Sequence, residues 1–169
     1  MSLYPTPRPM ALGLIPGGAE GTKATLQAMV KLARSFKRDA GIMQLARELV
    51  RGLPQYDRVG EIKALHAFVR DHIRYTNDPS GVELLQTPRA TLEMGTGDCD
   101  DKSTLLAALL LSIDRPARFV ALGFKPFSAY QHVLVETRNG KGWMPLETIK
   151  NVEAGWGPKG VMKRMIAHV

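Results

Sequence analysis

The segment LLAALLL, Leu105 to Leu111, carries no charge and no helix breaker. Apolar residues here cover most of a helical circumference, so the helix they predict has no solvent face and must be wrapped by other elements. The run is far shorter than the twenty or so residues needed to cross a bilayer. With 169 residues, 44% hydrophobic and 23% charged, the chain has enough material to enclose such a helix in one soluble domain. A buried central helix with covering layers is the frame for everything else.

Apolar spacing predicts three helices before it. The first is capped by Thr22 or Thr25 and buries Leu26, Met29, Val30, Ala33 and Phe36; the second runs from Ile42 to about Arg51; the third runs from about Val59 to Ile73, with Ile62, Leu65, Phe68, Val69 and Ile73 as its buried stripe. His66 and His72 read as surface or boundary residues of that third helix. Residues 1–20, with four prolines and Gly17-Gly18, read as an extended arm, and residues 21–169 as a single domain. Between Tyr75 and Gly97, Asn77, Asp78, Pro79, Gly81 and Pro88 predict a long irregular connection. After Pro116 the periodicity changes to strands over 117–124, 130–138 and 142–148, with the tail beyond left open between types. Helices first and strands second give an α+β class with an antiparallel sheet.

The net charge of +7 raises the question of nucleic acid. Basic residues are spread along the chain, and Phe36 is the lone aromatic between Lys23 and Arg51, so no base-stacking surface is indicated. A solvated surface or a preference for acidic partners explains the charge better. One cysteine excludes an internal disulfide and a multi-cysteine zinc site. Pro16, Gly17 and Gly18 interrupt the N-terminal apolar stretch before it can serve as a signal-peptide core, and a cytoplasmic location is expected.

That one cysteine, Cys99, falls in the first turn of the central helix, which Asp98 can cap. Unpaired backbone N–H groups and the helix dipole favour a thiolate there, and glycines 95 and 97 allow close backbone approach to a ligand. Asp98, Asp100 and Asp101 oppose the thiolate, so a reactive site needs a cationic partner, usually histidine. Position alone leaves nucleophile and structural thiol both open. The three aspartates do not fit a calcium loop, since the fifth and twelfth positions counted from Asp98 are Lys102 and Leu109. Helix capping accounts for them, and no metal or other cofactor is expected.

Asn139-Gly140 between two strand-like runs signals a hairpin. With those two residues as the loop, cross-strand partners sum to about 279, and His132 then faces Glu147 on one side of the ribbon while Val133, Val135, Met144 and Leu146 share the other. A histidine with a carboxylate beside it is the base-plus-orienter pair of a catalytic triad. Pro145 cannot donate to the ladder, so a bulge or frayed pairing is expected near it.

Taken in order, "GTGDCDDKSTLLAALLLSIDRPARFV", "YQHVLVE" and "GWMPLET" resemble the transglutaminase-like superfamily of the papain-like clan, in particular its small bacterial or phage-encoded members. The upstream "IRYTNDP" and "LLQTPRATL" are similar to the segment preceding the nucleophile, and the core motifs span about 58–150. The resemblance implies a papain-like core, with Cys99 as nucleophile, His132 as general base and acid, and Glu147 orienting the imidazole. It implies acyl transfer on a peptide or isopeptide amide through an acyl-enzyme, hydrolysis being favoured over transfer to an amine. The backbone N–H of Cys99 supplies one oxyanion donor, and Tyr75 or Gln86 the second; Asp98 and Trp143 join them as oxyanion or substrate-binding candidates. Most members carry Asp at the position of Glu147 and commonly glycine at that of Asp114. A peptide or protein is the expected partner, with no membrane and no nucleic acid. The second expectation is an inactive structural member, such as a virion component, that retains the fold.

Overall fold

The computed structural model describes residues 10–11, 17–78 and 84–169. Helices α1 (Gly18–Phe36), α2 (Ala40–Val50) and α3 (Arg58–His72) precede a short α4 (Pro88–Met94) and the central α5 (Cys99–Ser112). Strands β1 (Met10–Ala11), β2 (Arg74–Tyr75), β3 (Leu84–Leu85) and β4 (Thr96–Gly97) are two-residue pieces, whereas β5 (Ala117–Gly123), β6 (His132–Arg138), β7 (Trp143–Leu146) and β8 (Lys163–His168) form the main sheet. Its order is β7-β6-β5-β8, antiparallel throughout. β1 pairs antiparallel with β3, and β2 pairs parallel with β4, which tethers the end of α3 to the turn that opens α5.

Helix α5 is the hub. It lies between α1, α2, α3 and α4 on one side and the sheet on the other. Leu105, Leu106, Leu109 and Leu110 are all fully buried, each contributing about 1.5–3 kcal/mol on removal from water. Phe119, Val133, Val135 and Leu146 meet them from the sheet, while Met29, Ile42, Ile62, Leu65 and Val69 cover the helical side. The aliphatic stem of Lys102 is buried with them, and its Nζ donates to the carbonyls of Ile73 (2.5 Å) and Arg70 (3.3 Å) at the end of α3. Those carbonyls have no partner within their own helix.

Several local expectations change. Helix α1 begins at Gly18, inside the expected arm, and the remainder of that arm lies almost wholly outside the described residues. Thr22 and Thr25 are not caps; each returns its hydroxyl to the carbonyl four residues back. The connection from Tyr75 to Gly97 contains α4, whose signals were local: Thr87 caps it, Pro88 occupies its first turn, and Gly95 ends it at φ 65°. The tail settles as β8, paired to β5.

The hairpin register also differs. Arg138 pairs with Trp143 and Val135 with Leu146, so the loop is Asn139–Gly142 rather than two residues. Asn139 closes it by accepting from the Lys141 N–H (3.0 Å) and donating its own N–H to the Gly142 carbonyl (3.3 Å). The slip is two residues, and an even slip leaves every side chain on its expected face. Pro145 keeps its place in the ladder opposite Glu136 because β7 is an edge strand, where a missing donor is tolerated.

Candidate active site

The turn leading into α5 is built from carboxylates. Asp98 accepts from the N–H groups of Asp100 (2.9 Å) and Asp101 (3.1 Å), and Asp101 returns an acceptor to the Asp98 N–H (3.3 Å), a reciprocal capping box. The other oxygen of Asp101 accepts from the Gln86 N–H at 2.8 Å, clamping the β3–α4 segment to the helix mouth. Gly97 is required by this packing: a Cβ there would sit 2.7 Å from the Asp101 Cβ. Its lack of a side chain thus makes room for Asp101 and not for a ligand. Burial first, then the charge of Asp98, pushes the Asp101 carboxyl up to about 7. Ligand atoms of Asp78, Asp98 and Asp101 lie within 4.8 Å of one another, and all three serve as acceptors for backbone N–H groups.

Cys99 is half-buried at the first position of α5. Its Sγ takes a backbone hydrogen bond from Val133, the neighbour of His132 on β6, and its S–H donates to Asp100 Oδ1 at 3.4 Å. Burial, followed by the charges of Asp100 and Asp98, holds the thiol far above its ordinary value, and the Val133 contact opposes this only in part.

His132 opens β6, and its Nε2 meets Glu147 Oε2 at 2.6 Å. Glu147, just past β7, is 1% exposed. Its other oxygen accepts from the N–H groups of Ile149 (2.7 Å) and Lys150 (3.4 Å). Burial acts to raise this carboxyl, but the hydrogen bond and charge of His132 and the two backbone donors outweigh it and hold it below the usual carboxylate value. With Nε2 engaged by an anion, Nδ1 is the imidazole nitrogen left to exchange a proton.

His66, expected at the surface or at the boundary of the buried stripe, is 1% exposed in α3, and its Nε2 lies 2.6 Å from the Glu147 carbonyl. Burial lowers its pKa, so the ring is neutral and donates to that carbonyl. The signal was in the spacing: His66 stands four residues after Ile62 and three before Val69, on the buried stripe itself. His72 is exposed and stacks on Phe68.

The remaining candidates divide. Tyr75 sits beside the helix mouth through the β2–β4 pairing, 45% exposed, with its hydroxyl on Asn77. Its pKa is raised by partial burial and then by the nearby Cys99 and aspartates. Gln86 is buried next to Asp101, and its Oε1 has no hydrogen-bond partner among the described residues. Trp143 is held elsewhere: it packs on the guanidinium groups of Arg118 (4.2 Å) and Arg138 (4.8 Å) and against the edge of His168. A cleft of about 420 Å³ instead opens beside His132 and Glu147, walled by Phe124, Ile149 and Trp156 and edged by Lys150 and Lys159.

The family model described as the transglutaminase-like superfamily matches residues 43–148. The chain belongs to that superfamily. Among solved structures, it is similar to a "putative protease" from Parabacteroides distasonis, with TM-score 0.64 and 12% identity over 94% of this chain. A "putative cysteine protease" from Cytophaga hutchinsonii superposes with TM-score 0.55 and 14% identity over 84% of this chain. The matches span 34% and 55% of those two proteins. No curated protein matches the sequence. The mixed helix-and-sheet architecture is that of the papain-like, transglutaminase-like fold. Among the described residues, no helix is long and apolar enough to cross a membrane.

Proposed function

We propose that this chain is a cysteine-dependent hydrolase of a peptide or isopeptide amide, with Cys99, His132 and Glu147 acting as a triad. The observation that carries it is the 2.6 Å bond from His132 Nε2 to a Glu147 carboxylate whose other oxygen is saturated by backbone donors. That arrangement fixes one tautomer and one ring orientation and stabilises an imidazolium. With burial and the neighbouring aspartates raising the thiol, His132 acts as a general base at the moment of attack. Its Nδ1 takes the Cys99 proton as sulfur bonds to the amide carbonyl carbon. The imidazolium then protonates the departing amine as the C–N bond breaks, leaving a thioester. Water, deprotonated by the same nitrogen, releases the acid and restores the thiol. The Cys99 N–H at the helix terminus stabilises the oxyanion, aided by Tyr75 or Gln86.

Trapping the thioester tests this. Wild-type protein offered a peptide p-nitroanilide should gain the acyl mass on Cys99, while Cys99→Ala and His132→Ala should neither acylate nor turn over. Glu147→Gln should retain about 10⁻² to 10⁻⁴ of the rate, since the base loses its orienter. The raised thiol between Asp98 and Asp100 favours one other reading, an inactive member that keeps the fold. Wild-type protein that never acylates would establish that reading.

A further inference from the structure

The cleft beside the triad is amphiphilic in a specific way. The half-buried rings of Phe124 and Trp156 and the Ile149 side chain form apolar walls, and the exposed Lys150 and Lys159 stand at its edge. Lys150 Nζ lies 5.3 Å from the Trp156 ring centroid, a cation–π contact that fixes one ammonium over the aromatic wall. Among the described residues no carboxylate comes within ion-pairing distance of either lysine. The single acid in the lining, Glu147, has both oxygens engaged by His132, Ile149 and Lys150 backbone groups. About 420 Å³ is the size of a small-ligand site, with room for a dipeptide-sized group and not for a polymer strand.

We propose that this cleft is the specificity subsite of the enzyme and takes a carboxylate-bearing residue adjoining the scissile amide. The two ammonium groups receive the carboxylate, and Phe124, Ile149 and Trp156 cover the aliphatic part of the residue. The assignment rests on the triad reading above, because His132 and Glu147 are among the residues that line the cleft. The carboxylate comes either from an Asp or Glu side chain or from a free chain terminus, since both present the same group. A cationic residue is excluded by charge, and a neutral one leaves both ammonium groups unpaired.

Binding and turnover separate this subsite from the catalytic proposal. The Cys99→Ala protein is titrated with acetylated Ala-Ala-Xaa-Ala-Ala amides, Xaa being Glu, Gln or Lys, and with the Gln peptide bearing a free terminal carboxylate. The readouts are calorimetry and tryptophan fluorescence. An anionic peptide should bind about five- to tenfold more tightly than the neutral amide at low salt. The Lys peptide should bind most weakly, and the preference should fade as the Debye length shortens. Whichever anionic peptide carries the gain identifies the source of the carboxylate. In the Lys150→Gln/Lys159→Gln background the preference should collapse towards one. Equal binding of all four peptides, no binding by any, or a preference that survives the double variant overturns the subsite. Cys99-dependent hydrolysis without acidic preference overturns the subsite alone, whereas selective binding without acylation by wild type overturns the hydrolase and leaves the subsite standing.

Discussion

His66 in α3 and Glu147 after β7 are 81 residues apart and joined by a buried hydrogen bond, imidazole Nε2 to main-chain carbonyl, at 2.6 Å. This bond ties the acid of the proposed triad to the helical layer, while its carboxylate faces His132 in the sheet layer. His66→Leu leaves the Glu147 carbonyl buried without a donor and should cost about 1–3 kcal/mol in urea unfolding. The pH dependence has a definite sign. Burial lowers the pKa of His66 below 6.5, so the unfolded chain binds a proton that the folded chain refuses. The wild-type advantage should be complete above pH 6.5 and shrink as pH falls below it.

Burial and, after it, the charge of Asp100, which also accepts from the thiol, raise the Cys99 pKa. Asp100→Asn removes the charge, though not the burial that is the larger cause. Alkylation of Cys99 by iodoacetamide at pH 7 should be slow in the wild type and about three- to tenfold faster in the variant, following its larger thiolate fraction. Equal rates in a pH-resolved assay would show that burial alone sets the thiol.

Lys102 and Cys99 act in opposite directions at alkaline pH. Burial pushes Lys102 down to about 8 from 10.5, so between those values the unfolded chain binds the extra proton and stability rises with pH. Cys99 is raised from 9.0, so above about 9 the unfolded thiol ionises first and stability falls. Denaturation midpoints should rise from pH 8 to 9 and then level. In Lys102→Met the rise should vanish, leaving the decline from pH 9.

Asp114 follows the α5 C-cap at φ 57°, a left-handed conformation that costs residues other than glycine. Asp114→Gly should add about 0.5–1 kcal/mol, and raise Tm by about 1–4 °C, in a calorimetric scan. A loss of stability would mean that the Asp114 side chain contributes more than its backbone strain costs.

Local chemistry was legible wherever a pattern is short-ranged. The all-round apolar face of residues 105–111 marks α5 as central, and Asp98 marks its start. His132 and Glu147 are recognisable as partners because side-chain alternation has period two. The expected hairpin was wrong by two residues, and the pair still falls on one face. Helix α4 was within reach too: Thr87, Pro88 and Gly95 are its cap, first turn and stop. The prolines and glycines around it read equally well as loop, because a seven-residue helix has too few turns to establish a period.

Residues a few positions apart suffice for the central helix, the thiol at its mouth and the parity that lets a histidine meet a carboxylate. Packing of distant segments is what brings His66 to Glu147, Lys102 to the end of α3, and Phe124, Ile149, Lys150, Trp156 and Lys159 together in the cleft beside His132. Those contacts join segments distant in the chain. A polar side chain on a buried stripe, or a lysine inside an apolar helix, declares its partner only when packing excludes water and brings an acceptor within reach.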